Sequence, residues 1–133
     1  MIVVLDASAA IEIALNRSSA RLFQEALLEA DLVIAPDIYP SEITNVFWKY
    51  VHFSEIEQTK CEKGIDYCLD IVDDFINTKN ICQEVFLESI NTKHSSYDIF
   101  YLIVARRHNA VLLTKDKKMI SIAKQFKIKV LED

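Results

Sequence analysis

Four short apolar runs without polar alternation constrain what this chain can fold into, and only the last of them contains a polar residue, Lys129. They are Ile2–Leu5, Leu32–Ala35, Val111–Leu113 and Ile128–Leu131. A run without polar alternation is typical of a strand covered on both faces, and such strands belong to parallel sheets with helical crossovers. A further strand near Asn80–Cys82 has a weaker signal. We therefore predict a central parallel sheet of four to five strands.

Helical patterns fill the stretches between these runs. They cover Ala7–Asn16, Arg21–Ala30, Ser41–Phe53, a long segment from Ser54 to about Asn77, Gln83–Thr92, Tyr97–His108 and Lys117–Phe126. Start signals include Pro40 in a first turn, a Ser54/Glu57 capping box and the Ser95-Ser96 pair. Strands that alternate with helices predict a three-layer α/β/α sandwich with right-handed crossovers. No linker or repeat divides residues 1–133, so we predict a single domain.

The composition excludes several classes of protein. With 51% hydrophobic and 26% charged residues, the chain is globular rather than disordered. Its longest apolar run, Ile99–Ala105, has 7 residues, against the roughly 20 that span a bilayer. Asp6 interrupts the first apolar run too early for a signal peptide. The three cysteines, Cys61, Cys68 and Cys82, form a poor disulfide framework. We expect a soluble, cytoplasmic protein with reduced cysteines and no membrane partner.

Four acidic residues fall at the carboxyl edge of the predicted sheet, where strands end and helices begin. Asp6 closes the first strand, Glu42 and Asp98 lie in first helical turns, and Asp116 follows a later strand. Each also has a structural interpretation, because an acid in a first turn interacts well with the helix dipole and Asp is a preferred N-cap. When Asp116 is considered by itself, capping is the preferred interpretation. A charge that closes a buried strand, as Asp6 does, is costly unless it is paired or bound.

Together these carboxylates would repel one another, and a hard divalent cation, Mg²⁺ or Mn²⁺, would remove that repulsion. Oxygen-ligated ions of this kind are suited to phosphodiester hydrolysis. The predicted catalytic residues and metal ligands are Asp6, Glu42, Asp98 and Asp116. Small polar residues beside them are predicted to orient carboxylates or waters, with local capping as the alternative: Ser8, Asn45 and Thr114. The histidines lack zinc-ligand spacing and are interpreted as surface residues: His52, His94 and His108.

Positive charge is concentrated near the end of the chain. Residues 103–133 hold 8 basic and 3 acidic side chains, whereas residues 1–102 hold 7 basic and 17 acidic ones. We predict that Lys115, Lys117 and Lys118 contact RNA phosphates beside the acidic site. The alternative is that these lysines occupy solvated helix faces.

Four motifs in order resemble those of the PIN-domain family, and most closely the VapC-type toxins of bacterial and archaeal toxin–antitoxin pairs. They are Val4-Leu5-Asp6-Ala7-Ser8-Ala9, Pro36-Asp37-Ile38 with Glu42-Ile43-Thr44-Asn45, Ser96-Tyr97-Asp98-Ile99-Phe100-Tyr101-Leu102, and Leu112-Leu113-Thr114-Lys115-Asp116. The resemblance implies a compact α/β/α fold and Mg²⁺- or Mn²⁺-dependent endoribonuclease activity. It also places the family's acids on the four acidic residues above, with Ser8 and Thr114 in support. Many relatives have further acids near the fourth motif, where this chain has Lys117 and Lys118.

The segment Val46–Phe53 has 6 hydrophobic residues in 8, so a helix formed there must be covered on nearly every side. Packing between the sheet and the next helix is one explanation. The other is a groove for an amphipathic partner helix, contacted by Phe47, Trp48 and Tyr50. Resemblance to the toxins implies a homodimer and an inhibitory antitoxin peptide along this region. The competing hypothesis is a non-catalytic RNA- or protein-binding module on the same fold.

Overall fold

Five strands form the centre of the fold in a computed structural model that describes residues 1–131. They are β1 (Ile2–Leu5), β2 (Leu32–Pro36), β3 (Asp74–Ile76), β4 (Val111–Leu113) and β5 (Val130–Leu131). Their order across the sheet is β3-β2-β1-β4-β5, and every pairing within residues 1–131 is parallel. Glu132 and Asp133, the end of the predicted domain, lie outside the described residues. The central strand is β1, whose Val3, Val4 and Leu5 are fully buried.

Seven α-helices of the described region pack around this sheet. They are α1 (Ala7–Ala14), α2 (Ala20–Glu29), α3 (Tyr39–His52), α4 (Gln58–Asp70), α5 (Cys82–Thr92), α6 (Ser96–His108) and α7 (Lys117–Gln125), with a 3-10 turn at Lys79–Ile81. One group is formed by α1 to α4, which contact one another, and a second by α6 with α5 and α7 against it. The predicted α/β/α sandwich with a parallel sheet is confirmed.

The apolar run Ile99–Ala105 is explained by the position of α6, which lies against β1 and β2. Most of its residues from Ile99 to Ala105 are buried, so an ordinary amphipathic pattern is absent. The helix ends at Asn109, whose backbone is left-handed at φ 49°. Since α6 leads directly into β4, its first turn lies at the carboxyl edge of the parallel strands and brings Asp98 there.

Several predicted elements are wrong. The fourth helix covers only Gln58–Asp70, and the capping box is absent because Ser54 is left-handed and Glu57 makes no side-chain capping bond. The strand after β2 is Asp74–Ile76, which the sequence placed inside a helix. This edge strand is short and mostly exposed, so it carries no apolar run. The segment Asn80–Cys82 instead belongs to the 3-10 turn and the start of α5.

Smaller differences concern caps and strand length. The last strand is Val130–Leu131 rather than Ile128–Leu131, because the chain turns at Lys127, which is left-handed at φ 59° three residues before the strand. Ser95 occupies the N-cap of α6, but its side chain makes no capping hydrogen bond. Within residues 1–131, no helix has the length and apolar character needed to cross a membrane. All three cysteines are free, as predicted.

Candidate active site

A cavity of about 390 Å³ opens at the carboxyl edge of the strands. All four predicted acids line it: Asp6, Glu42, Asp98 and Asp116. Asp6 directly follows β1 and Asp116 precedes α7, while Glu42 and Asp98 lie in the first turns of α3 and α6. Four distant parts of the chain therefore bring carboxylates to a single opening.

The carboxylate of Asp6 is the most buried of the four, at 4% exposure. Its Oδ1 accepts hydrogen bonds from Ser8 Oγ at 2.8 Å and from the Ala9 amide at 2.9 Å, so Asp6 is also the N-cap of α1. Its Oδ2 accepts from Thr114 Oγ1 at 2.5 Å. Burial raises the pKa of Asp6 to about 7, the negative charge of Asp98 adds to the rise, and these hydrogen bonds oppose it.

Two hydroxyl groups connect Asp6 to the loop between β4 and α7. The Ser8 and Thr114 oxygens lie 3.3 Å apart. Ser8 Oγ accepts from the Lys115 amide at 2.9 Å, and Thr114 Oγ1 accepts from the Asp116 amide at 3.0 Å. Each hydroxyl thus accepts from the loop backbone and donates to the carboxylate. The contact predicted between these two polar residues and an acid is present.

Glu42 is half-buried, and its Oε1 accepts a hydrogen bond from the Tyr101 hydroxyl at 2.6 Å. Burial raises the pKa of Glu42, the charge of Asp98 raises it further, and the Tyr101 hydroxyl lowers it. Burial also raises the pKa of Tyr101, so this residue stays protonated and acts as a donor. Tyr101 itself is 2% exposed on α6. Glu42 is therefore held by the helix that also carries Asp98.

His94 contacts Asp98 and is not the surface residue that the sequence suggested. Its Nε2 lies 2.7 Å from Asp98 Oδ2, and the two side chains are 16% and 28% exposed. Lys93 ends α5 in a left-handed conformation, and the His94 amide then donates to the Ser89 carbonyl, which fixes the turn. The spacing of four residues was a signal for this contact. The contact was not predicted because His94 precedes α6 whereas Asp98 lies within it.

The side chain of Asp116 caps α7. Its Oδ1 accepts from the amides of Lys118 and Met119 at 2.8 and 3.2 Å. The capping interpretation is thus confirmed for this residue. Asp116 also lines the cavity and so belongs to the acidic group, but its Oδ1 is already used in capping.

Other predicted site residues lie at different distances from the acids. Asn45 is exposed and lines a separate surface hollow with Trp48, so it does not reach them. Lys117 and Lys118 are exposed on the first turn of α7 and do not line the cavity. Lys115, by contrast, does line the cavity.

Two charged residues of the cavity, Glu12 and Arg17, were not predicted from the sequence. Glu12 on α1 is 7% exposed and accepts from the Ser19 amide at 3.0 Å. Lys115 Nζ donates to Ser19 Oγ at 2.9 Å and lies 3.9 Å from Glu12 Oε2. Arg17, in the turn after α1, donates to the Tyr50 hydroxyl at 2.9 Å. Glu12 had one signal, since it stands alone between apolar residues of a buried helix.

The residues predicted to contact a partner separate into different environments. Phe47 is 1% exposed and packs on α4, where a Cβ added at Gly64 would meet its ring at 2.6 Å. Packing between helices therefore accounts for Phe47. Trp48 is 56% exposed and stacks on His52 with ring centroids 4.8 Å apart. Tyr50 is half-buried and lines the cavity.

The donor set suits a hard divalent cation, although the side chains do not form a closed cage. Among residues 1–131, no three His, Cys, Asp or Glu side chains stand together as a complete metal-binding group. In that part of the chain, Glu42 Oε2 and Asp98 Oδ1 accept no hydrogen bond, and neither Asp6 nor Asp98 pairs with lysine or arginine. Mg²⁺ usually keeps several waters and binds one or two carboxylates. The residues therefore fit a hydrated Mg²⁺ or Mn²⁺.

Comparisons with known proteins agree with this fold. The sequence model of the PIN domain matches residues 3–125. A crystal structure of PAE2754 from Pyrobaculum aerophilum is similar, with a TM-score of 0.77 at 17% identity, covering 98% of this chain and 83% of that one. At that identity the likeness shows the fold alone. No curated protein sequence matches the chain.

Proposed function

The chain belongs to the PIN domain family, whose members are generally nucleases, and we propose that it is a Mg²⁺- or Mn²⁺-dependent endoribonuclease. The observation that carries the proposal is the convergence of four carboxylates on one cavity at the carboxyl edge of the sheet. A group of this kind is poorly stable on its own, because burial and the charge of Asp98 raise the pKa of both Asp6 and Glu42. A divalent cation would relieve that repulsion.

Three of the four acids are each held by a different part of the chain. Hydroxyl donors fix Asp6, Tyr101 fixes Glu42, and His94 fixes Asp98. When bound, the cation supplies a water of lowered pKa and neutralises charge on the phosphate. The three supported carboxylates would hold the ion and position a water for attack on the phosphate. Water adds to phosphorus, the bridging RNA oxygen leaves with a proton, and the chain is cut.

The activity test uses purified protein, free of any antitoxin, with total RNA and Mn²⁺. We expect cleavage that EDTA stops and that added Mg²⁺ or Mn²⁺ restores. Asp98→Asn should abolish cleavage and leave the circular dichroism spectrum unchanged. Asp70→Asn, which makes the same change at the exposed end of α4, should cleave like the wild type. Sequencing the new RNA ends after brief expression of wild type and Asp6→Asn would identify the cut sites.

A second candidate is the non-catalytic RNA- or protein-binding module. The cations that line the same cavity, Arg17 and Lys115, favour it, because they would serve RNA binding without any turnover. Tight RNA binding by the wild type without any cleavage in Mn²⁺ would select this candidate over the nuclease.

We further propose that the protein is the toxin of a toxin–antitoxin pair, acts in the cytoplasm as a homodimer and is inhibited by an antitoxin peptide. Support comes from the motif resemblance and from the exposed apolar end of α3, where Trp48 and Phe53 are 56% and 64% exposed. Expression alone should stop growth, and co-expression of a small DNA-binding protein encoded next to it should restore growth. Growth unaffected by the wild type would contradict the toxin assignment.

The lysines at the start of α7 are proposed to contact RNA outside the cavity. Lys117→Glu combined with Lys118→Glu should weaken RNA binding and flatten its dependence on salt, because phosphate contacts release counterions. Lys60→Glu combined with Lys63→Glu, on the exposed face of α4, is the matched control. Equal binding by the two double variants would contradict the proposed contact.

A further inference from the structure

Arg17 stands at the cavity in the tight turn between α1 and α2. Asn16 is left-handed at φ 51°, the Arg17 amide donates to the Glu12 carbonyl at 3.0 Å, and the Arg17 carbonyl accepts from the Ala20 amide at 3.0 Å. The guanidinium donates from Nη2 to the Tyr50 hydroxyl at 2.9 Å, and its Cζ lies 5.5 Å from the centroid of that ring. The backbone turn places Arg17 at the cavity, and the aromatic side chain of Tyr50 orients its exposed guanidinium.

The other arginines of the chain differ from Arg17 in their partners. Arg21 pairs with an acid on its own helix, and Arg106 and Arg107 pair with acids of α5. Arg17 forms no ion pair with a described residue, although five carboxylates line the same cavity. Lys115, the other cation of the cavity, lies 3.9 Å from Glu12. Arg17 is therefore an exposed positive charge of the cavity that pairs with no carboxylate of residues 1–131.

One face of α3 connects the acids to this arginine. Glu42, Val46 and Tyr50 follow at intervals of four residues and all line the cavity. Eight residues of helix span about 12 Å, so Tyr50 lies that far along the wall from Glu42. The cavity thus has an acidic part and, at the other end of α3, a positive part.

We propose that Arg17, oriented by Tyr50, is a subsite for an RNA phosphate that flanks the cut site without being the phosphate that is cut. This inference rests on the proposed nuclease function. A guanidinium has five N–H donors in a planar fork, and one of them is used by Tyr50, which leaves donors for a bidentate phosphate contact. The offset along α3 separates this phosphate from the acids, so the cation site and the anion site do not compete. The subsite takes a single-stranded ribonucleotide segment with at least two consecutive phosphates.

Binding of a labelled single-stranded RNA in EDTA, where nothing is cut, tests the subsite directly. Arg17→Gln should raise the Kd about tenfold and make the negative slope of log K against log salt shallower by about 0.7. Arg21→Gln removes the same charge from the neighbouring helix and should change neither. Arg17→Lys should recover part of the affinity, because it restores the charge without the fork.

Cleavage assays in Mn²⁺ distinguish the Arg17 subsite from the proposed nuclease function. Arg17→Gln should raise KM and leave kcat within about twofold, and Tyr50→Phe should produce a smaller rise of the same kind. If Arg17→Gln and Arg21→Gln share one Kd and one salt slope, the subsite is refuted even though the wild type cuts RNA. If the wild type binds RNA through Arg17 but cuts nothing, only the nuclease proposal fails. A wild type that binds no RNA overturns both.

Discussion

The buried carboxylate of Asp6 makes the stability of the metal-free protein depend on pH. Folding raises its pKa from 3.8 to about 7, mainly through burial, so the folded state holds the proton more tightly than the unfolded state. The sign follows from this difference: stability from this group is greatest below pH 3.8, falls as pH rises between the two pKa values, and is lost fully above pH 7. A shift of about three units corresponds to roughly 4 kcal/mol.

Asp6→Asn removes this titration and most of its cost. The Asn oxygen can still accept from Ser8 and the Ala9 amide, and its amide group can donate to Thr114. From pH 5 to pH 8 the wild type should lose about 2.5 kcal/mol through this one group. The difference in unfolding free energy between Asp6→Asn and the wild type should therefore grow with pH. At pH 8 it should favour the variant by about 2–3 kcal/mol more than it does at pH 5.

Urea unfolding in EDTA at the two pH values measures the difference. Asp70→Asn is the control, because it makes the same chemical change at an exposed position outside the cavity. Added Mg²⁺ at pH 8 should narrow the difference between Asp6→Asn and the wild type, since a cation stabilises the ionised carboxylate. A difference that stays constant from pH 5 to pH 8 in EDTA would refute the burial argument.

Three other substitutions test separate parts of the structure. Gly64→Ala should destabilise the protein by about 1–3 kcal/mol in thermal unfolding, because the new Cβ would lie 2.6 Å from the Phe47 ring; an unchanged melting temperature would contradict that packing. Thr114→Val removes a donor to a buried carboxylate and should cost about 1.5–3 kcal/mol, with a larger loss at pH 8 than at pH 5 in urea unfolding. His94→Ala should weaken Mn²⁺ binding in calorimetry about tenfold by freeing Asp98, and His94→Gln should recover part of it; equal binding by both variants and the wild type would show that the contact does not position the ligand.

Local sequence signals predicted the elements that are both buried and regular. β1 and β4 begin and end where their apolar runs do, since a strand covered on both faces needs an unbroken run. The strand Asp74–Ile76 gave no such signal, because it lies at the sheet edge and is mostly exposed. Its pairing with β2 supplies the backbone partners that the local sequence does not reveal.

The sequence by itself determined where the carboxylates stand, because the end of a buried strand and the first turn of a helix are local features. Asp6 and Asp98 are placed at the carboxyl edge by their own elements. Only the tertiary structure decided what each group contacts: Arg17 meets Tyr50 across 33 residues, and Asp6 meets Thr114 across 108. The burial pattern of a strand and the hydrogen bonding of a helix repeat along their own segment and can be predicted from it, whereas side-chain contacts and strand pairing depend on how distant segments pack.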